Sequence, residues 1–279
     1  MAVAILARLG RDPLGLLGLG LVAGIGILAL GAEVLTSYSP TAINVRQRLL
    51  DPSWQHLLGT DQLGRDIFTR VVFGARVALG VALTATGLAL VIGLALGLLA
   101  GYGPRWLDSV LILIFDTVRS FPTILLALAI VTLAGPSLPT IILVIVVTTT
   151  PQYGRIVRTQ TLSLKTSEFV LAERTLGAGP LTVLAVHVLP NVLGPLLILA
   201  SMDLAAAVAI EAGLSFLGLG VRPPTPSWGT MLNDGYAYIR ATPWLIVAGT
   251  GALIVTTLGF TFLGEALRDV LDPRLRRNV

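Results

Sequence analysis

TSEFVLAERTLGAGPLTVLAVHVLPN, residues 166–191, is a long part of the second half of the chain that a lipid bilayer would reject. It carries Glu168, Glu173, Arg174 and His187, and strongly apolar runs lie on both sides of it. Ser167 is placed to cap a helix whose first turn holds Glu168, near the positive end of the helix dipole. Phe169, Ala172, Glu173 and Leu176 then share one helical face. Gly177 and Gly179 stop that helix, and Pro180 suits the first position of a second one. The second helix is expected to end at Leu189-Pro190. The segment reads as helix, glycine turn and helix, held outside the bilayer between two spans. An ordinary solvated loop fits the same pattern.

The flanking runs set the class. The chain has 279 residues, 54% of them hydrophobic and 12% charged, with mean hydropathy +0.87. Soluble domains are about 25% charged, so this chain has too few charges to cover a water-facing surface. It reads as an all-α integral membrane protein. There is no cysteine, which excludes disulfides, thiolate metal sites and thiol catalysis. The net charge is +4, and Lys165 is the only lysine among the basic residues. In a membrane protein such an excess sets topology; it does not point to nucleic acid.

Six spans are expected, at about 14–35, 75–101, 107–134, 138–153, 192–216 and 244–267. Arg8 and Arg11 precede the first, and Ala29-Leu30-Gly31 fits a small-x-small cleavage site, so a signal peptide is one reading. The apolar run exceeds the roughly 7–15 residues of a signal segment and approaches the ~20 that cross a bilayer. It is therefore read as a retained span. Segments 36–74 and 217–243 are assigned outside, and 154–191 and the basic tail 268–279 inside. With Arg8, Arg11, Arg105 and Arg119 assigned to the inside and Arg76 to the outside, twelve of the nineteen Lys and Arg are inside and seven outside, which favours both termini in the cytoplasm. No internal repeat is evident.

Within the spans, Gly93, Gly97 and Gly101 are spaced by four and line one helix face for close approach of another helix. Pro122 is expected to kink the third span. Asp116 and Arg119, placed in its first turns, are expected to pair with each other or to snorkel to the inner interface. Asp203 and Glu211 are eight residues apart in the fifth span, on nearly the same face. A carboxylate in hydrocarbon costs about 2.5–3.5 kcal/mol on insertion scales, so both should face protein or water. They are candidates for a polar pathway or for inter-helix hydrogen bonds.

Enzyme chemistry is missing from the pattern. Lys165 follows Leu164, so the chain holds no P-loop GK[ST]. No GxSxG elbow occurs. His56 and His187 fall on opposite sides of the membrane in this topology, so no metal site is expected.

Four motifs carry a resemblance. HLLGTDQLGRD (56–66), Ala172-Glu173 with Gly177 and Leu189-Pro190, SFLGLGVRPPTPSWG (215–229) and DPRLRR (272–277) together resemble the permeases of dipeptide/oligopeptide/nickel ABC importers, in particular the DppC/OppC kind. The central segment resembles that family's EAA loop, with Leu171 in place of its leading Glu and Glu173 in place of its second Ala. The resemblance implies a type I ABC importer permease fold with six transmembrane helices in the cell inner membrane. It implies that Ala172, Glu173, Gly177, Leu189 and Pro190 couple the chain to an ATPase. The implied partners are a homologous permease, two ABC ATPase subunits that bind ATP and magnesium, and an extracytoplasmic substrate-binding protein. The chain itself would need no cofactor. Di- and oligopeptides are the implied cargo, moved by alternating access, with a nickel chelate as the alternative. An ion-coupled secondary transporter would also use intramembrane carboxylates, but usually in repeated halves. A channel or purely structural subunit would have no evident use for the cytoplasmic segment.

Overall fold

The computed structural model describes residues 12–271. Arg8, Arg11 and the basic run at 272–277 lie outside them. The helices are α1 (Pro13–Leu30), α2 (Ile67–Tyr102), α3 (Arg105–Ser120), α4 (Thr123–Ala134), α5 (Leu138–Lys165), α6 (Glu168–Thr175), α7 (Pro180–Phe216), α8 (Trp228–Ala237) and α9 (Trp244–Leu271). A single helical turn, Ala32–Leu35, follows α1. No strand forms among the described residues, although Thr60 and Asp66 make an isolated antiparallel bridge.

Five helices, α1, α2, α5, α7 and α9, are long and apolar enough to cross a membrane. The pair α3 and α4 passes only together, and it is bent by 95°. Phe121 and Pro122 make that break. The proline ring pushes the residue before it into extended backbone, and Phe121 has φ −87° and ψ 136°. The kink expected at Pro122 is therefore a full break between two helices.

Packing shows that the broken pair is a crossing. A Cβ built on Gly93 would lie 2.5 Å from Tyr153 Cβ, one on Gly97 2.6 Å from Gly154 O, and one on Gly101 2.6 Å from Thr161 Cβ. Both series ascend together, so α2 and α5 run parallel in backbone contact and end on the same side. The glycine face is filled from within the chain. Residues 103–137 must then return across the bundle. They do so with α3 antiparallel to α5: Asp108 pairs with Arg158, the Phe115 ring lies against Gly154, and Asp116 pairs with Arg155. Counted as one span, α3–α4 completes six. α1 is antiparallel to α9, with Gly15 against Ala266 and Gly259 against Leu21. The start of α1 and the ends of α2, α5 and α9 therefore share one face of the bundle.

The opposite face is organised by GTDQLGRD. Asp61 is fully buried and accepts from the amides of Leu63 and Arg65 at 2.8 and 2.9 Å. It also accepts from Arg65 Nε at 2.6 Å and pairs with Arg70. Gly64 has φ +74°, and a Cβ there would sit 1.8 Å from Asn44 O, so only glycine fits. Asp66 caps α2 by accepting from the Thr69 amide at 2.8 Å, and His56 Nδ1 lies 2.9 Å from its other oxygen.

Several boundaries differ from the sequence reading. α2 begins at Ile67, not at 75, because Asp66 supplies its cap. α5 continues to Lys165, not 153, so the first part of the expected loop 154–191 is helix. Leaving lipid does not end a helix. Arg and Lys are good helix formers, and here Arg155 and Arg158 find Asp116 and Asp108 while Lys165 Nζ donates to Tyr102 O at 3.3 Å. α9 runs on to Leu271, and the outer loop 217–243 contains α8. The second helix of the polar segment does not end at Leu189-Pro190 either. It continues as α7, with a π-wound turn over Val183–Val188 in which the Leu189 amide donates to Leu184 O. That wider turn sits just before Pro190, where the ring and the missing N–H would strain a regular helix.

Candidate functional site

Two places stand out: the polar segment on the face shared by the ends of α2 and α5, and a cavity between α3, α5 and α7.

In the polar segment, α6 has one fully buried side chain, and Arg174 near its end reaches the Tyr102 hydroxyl of α2 at 3.5 Å. Val170 is fully buried, in a cluster with Tyr153 and Val157 of α5 and Val183, Val188 and Val192 of α7. Ser167 stands at the N-cap position, but its hydroxyl donates to Leu164 O at 2.6 Å and caps nothing. Of the face expected to be shared, Phe169, Ala172 and Leu176 are exposed and Glu173 is half-buried. Phe169 meets the His187 ring edge-on at 5.9 Å, and Glu173 Oε1 lies 3.9 Å from His187 Nε2. The turn is closed by the Gly177 amide donating to Arg174 O and the Ala178 amide donating to Glu173 O, at 3.1 and 3.0 Å. Gly177 has φ +95°, a conformation that disfavours any side chain, although no atom lies within 4 Å of where a Cβ would be. Leu189 and Pro190 sit within α7. Leu176 and Leu181 are 84% and 80% exposed. The segment therefore presents an apolar rim to whatever lies beyond it.

The cavity, of about 260 Å³, opens where α3 breaks into α4. Its polar lining is Arg119, Thr123, Thr148, Thr149, Gln152 and Asp203. Arg119 Nη1 lies 3.5 Å from Gln152 Oε1. Asp203 Oδ2 is buried with no hydrogen-bond partner among the described residues. Tyr153 of α5 lies close to Asp203, but its hydroxyl makes no hydrogen bond of adequate geometry. Asp203 is thirteen residues, about 20 Å at ~1.5 Å per residue, from the end of α7 at Phe216.

Asp203 and Glu211 do not form one site. Glu211 is fully buried, and its Oε1 accepts from the hydroxyls of Ser215 and Ser227, each at 2.8 Å. Ser227 also caps α8, accepting from the Gly229 amide. Glu211 thus ties α7 to α8, while Asp203 lines the cavity. The pairing expected between Asp116 and Arg119 is also replaced. Asp116 pairs with Arg155, which leaves Arg119 to the cavity. Sequence reading missed Arg119 and Gln152 as lining residues. Pro122, whose ring forces the break beside Arg119, was the signal available.

Comparison with known proteins places these features. A family model described as "Binding-protein-dependent transport system inner membrane component" matches residues 93–277. The dipeptide transport system permease protein DppC of Alkalihalophilus pseudofirmus is 40% identical over 96% of this chain and 88% of its own length. The oligopeptide transport system permease protein OppC of Bacillus subtilis is 36% identical over 97% and 88%. The glutathione transport system permease protein GsiD of Pectobacterium atrosepticum is 37% identical over 89% and 83%. Among solved structures, an inward-facing MetNI methionine ABC transporter chain aligns with TM-score 0.57 at 21% identity. It covers 72% of this chain and 96% of that one, a likeness of fold.

Proposed function

From the premise that the chain belongs to the family of binding-protein-dependent transport system inner membrane components, we propose that it is a permease subunit of an ATP-driven importer of di- and oligopeptides. The relatives named for dipeptide, oligopeptide and glutathione transport support the cargo class. It is a multi-pass inner-membrane protein, and we place both its termini in the cytoplasm. The chain performs no bond-breaking step; ATP and its magnesium are bound by two separate ATPase subunits. A homologous permease completes the path, and an extracytoplasmic binding protein delivers the substrate to the face built by GTDQLGRD.

One observation carries the coupling role. α6 buries one side chain fully, Val170, touches α7 through Phe169 and Glu173 and α2 through Arg174, and is turned back at Gly177, with Leu176 and Leu181 projecting from the same face of the bundle as the ends of α2 and α5. A short helix in contact with both of the long ones it links moves α5 and α7 when it is pushed. Ala172, Glu173 and Gly177 shape its docking face, and Leu189 and Pro190 carry the motion into α7. Asp203 lines the path that this motion opens and closes, while Glu211 holds α7 to α8 and Gly93, Gly97 and Gly101 hold α2 to α5.

The test is uptake by liposomes holding the chain, its sister permease and both ATPases, with binding protein outside and ATP inside. Labelled dipeptide should accumulate only with ATP and only with binding protein. Accumulation driven by an ion gradient without ATP would instead favour a secondary transporter. ATP-driven uptake of a nickel chelate but of no peptide would replace the cargo.

A further inference from the structure

The cavity at the α3–α4 break is lined by two ionisable side chains, Arg119 and Asp203, that no partner of opposite charge matches among the described residues. Both carboxylates of α3 are matched, Asp108 with Arg158 and Asp116 with Arg155, and Arg105 at its first turn is exposed. Among the described residues, Arg119 and Asp203 form no ion pair, although both line the same space of about 260 Å³. Among the described residues Arg119 makes one side-chain hydrogen bond, at 3.5 Å to Gln152, and Asp203 Oδ2 makes none, with the Tyr153 hydroxyl nearby. An unpaired charge within a span is costly and marks function by default. Two opposite charges sharing one space would collapse onto each other unless the helices that carry them held them apart. Arg119 is fixed on the last turn of α3 before the Pro122 break, and Asp203 on α7.

We propose that this cavity binds a zwitterionic peptide by its two ends, with the α-ammonium on Asp203 and the terminal carboxylate on Arg119. This deepens the peptide-importer reading and rests on it. A lone cation would meet repulsion from Arg119, and a lone anion from Asp203. A metal ion would find a single carboxylate among the lining side chains. A molecule positive at one end and negative at the other satisfies both charges at once. The planar guanidinium can hold a carboxylate through two hydrogen bonds. Thr148, Thr149 and Gln152 offer partners for the peptide bond, and Phe121 and Ile210 supply apolar wall for side chains.

The experiment uses the assembled complex of both permeases and both ATPases in nanodiscs, without binding protein or ATP. Equilibrium binding of Ala-Ala, N-acetyl-Ala-Ala and Ala-Ala amide is measured on the parent, Asp203→Asn and Arg119→Gln. N-acetylation should weaken binding to the parent by about tenfold or more, the scale of a charge-assisted hydrogen bond. In Asp203→Asn it should cost less than about twofold, while in Arg119→Gln the full penalty should remain. Amidation should show the mirror pattern. A residue with a purely structural role would weaken all three ligands alike, and that result overturns the proposal. An acetylation penalty unchanged in Asp203→Asn, or no saturable binding of Ala-Ala to the parent, overturns it too. If Asp203→Asn does not assemble, Arg119→Gln with the amide decides alone. ATP-driven uptake by the same preparation is measured in parallel with binding protein added. Normal uptake with no ligand–residue coupling rejects this site only, whereas absent uptake rejects the importer reading beneath it.

Discussion

Gly97→Leu should abolish accumulation of the folded chain, whereas Gly80→Leu on the same helix should leave it unchanged. A Cβ at Gly97 would lie 2.6 Å from both Gly154 O and Val157 Cβ, while at Gly80 no atom lies within 4 Å. The obstruction at Gly97 is partly backbone, so no side chain can swing away to relieve it. Overpacking a well-packed core costs about 1–3 kcal/mol and occasionally more. Here the whole parallel contact of α2 with α5 must open, which puts the cost at or above the top of that range. Gly154 makes the position stricter, since α2 reaches one side of it and the Phe115 ring of α3 the other. Membrane-fraction yield and thermal stability in detergent are the readouts. Equal yields for the two variants would show that α2 and α5 do not meet as described.

Gly177→Leu should leave yield unchanged and lower ATP-driven uptake by about tenfold or more. The open space around Gly177 means no clash, so the fold survives. The strain is in the backbone. At φ +95° an L side chain costs roughly 1–2 kcal/mol, and every ~1.4 kcal/mol is a tenfold change in population. Val170 is the one fully buried side chain of α6, and its other contacts, to His187 and Tyr102, are at the surface, so the turn matters to its angle. ATP hydrolysis by the complex should persist while losing its dependence on the binding protein. Gly177→Asn, which tolerates positive φ better, should retain most of the uptake. Normal uptake by Gly177→Leu would remove the turn from the coupling path.

The parts of this fold that were legible are those fixed by local chemistry. Glycines spaced by four read as a close-packing face. The turn at Gly177 followed by Pro180 is equally local. What could not be read depends on partners distant in sequence. Arg155 and Arg158 looked like the membrane edge. Their counter-ions, Asp116 and Asp108, sit on an antiparallel helix that only the tertiary fold brings alongside, and those pairs extend α5 to Lys165. Asp203 and Glu211 share a helix and looked equivalent. Glu211 is distinguished by Ser227, sixteen residues further on, and Asp203 by Arg119 and Gln152 on two other helices. Pro190 alone reads as the end of a helix, and the π-wound turn that carries α7 through it is not visible in the sequence. In the candidate site, the short helix and its turn at Gly177 were therefore legible and the cavity was not.

The absence of cysteine from the chain makes one labelling experiment unusually direct. Leu176→Cys, on the tip beyond α6, and Trp54→Cys, 98% exposed in the segment before α2, mark the two ends of the bundle. Each single-cysteine chain is treated with a membrane-impermeant maleimide in intact cells, and then as the purified, transport-active complex with and without its ATPase subunits. Trp54→Cys should label in cells and Leu176→Cys should not. In the purified protein, Leu176→Cys should label freely without the ATPases, be shielded when they are bound, and cross-link to them through a short bifunctional reagent. Free labelling of Leu176→Cys in a complex that is transporting, or its labelling from outside the cell, would contradict the assignment of this face to the ATPase.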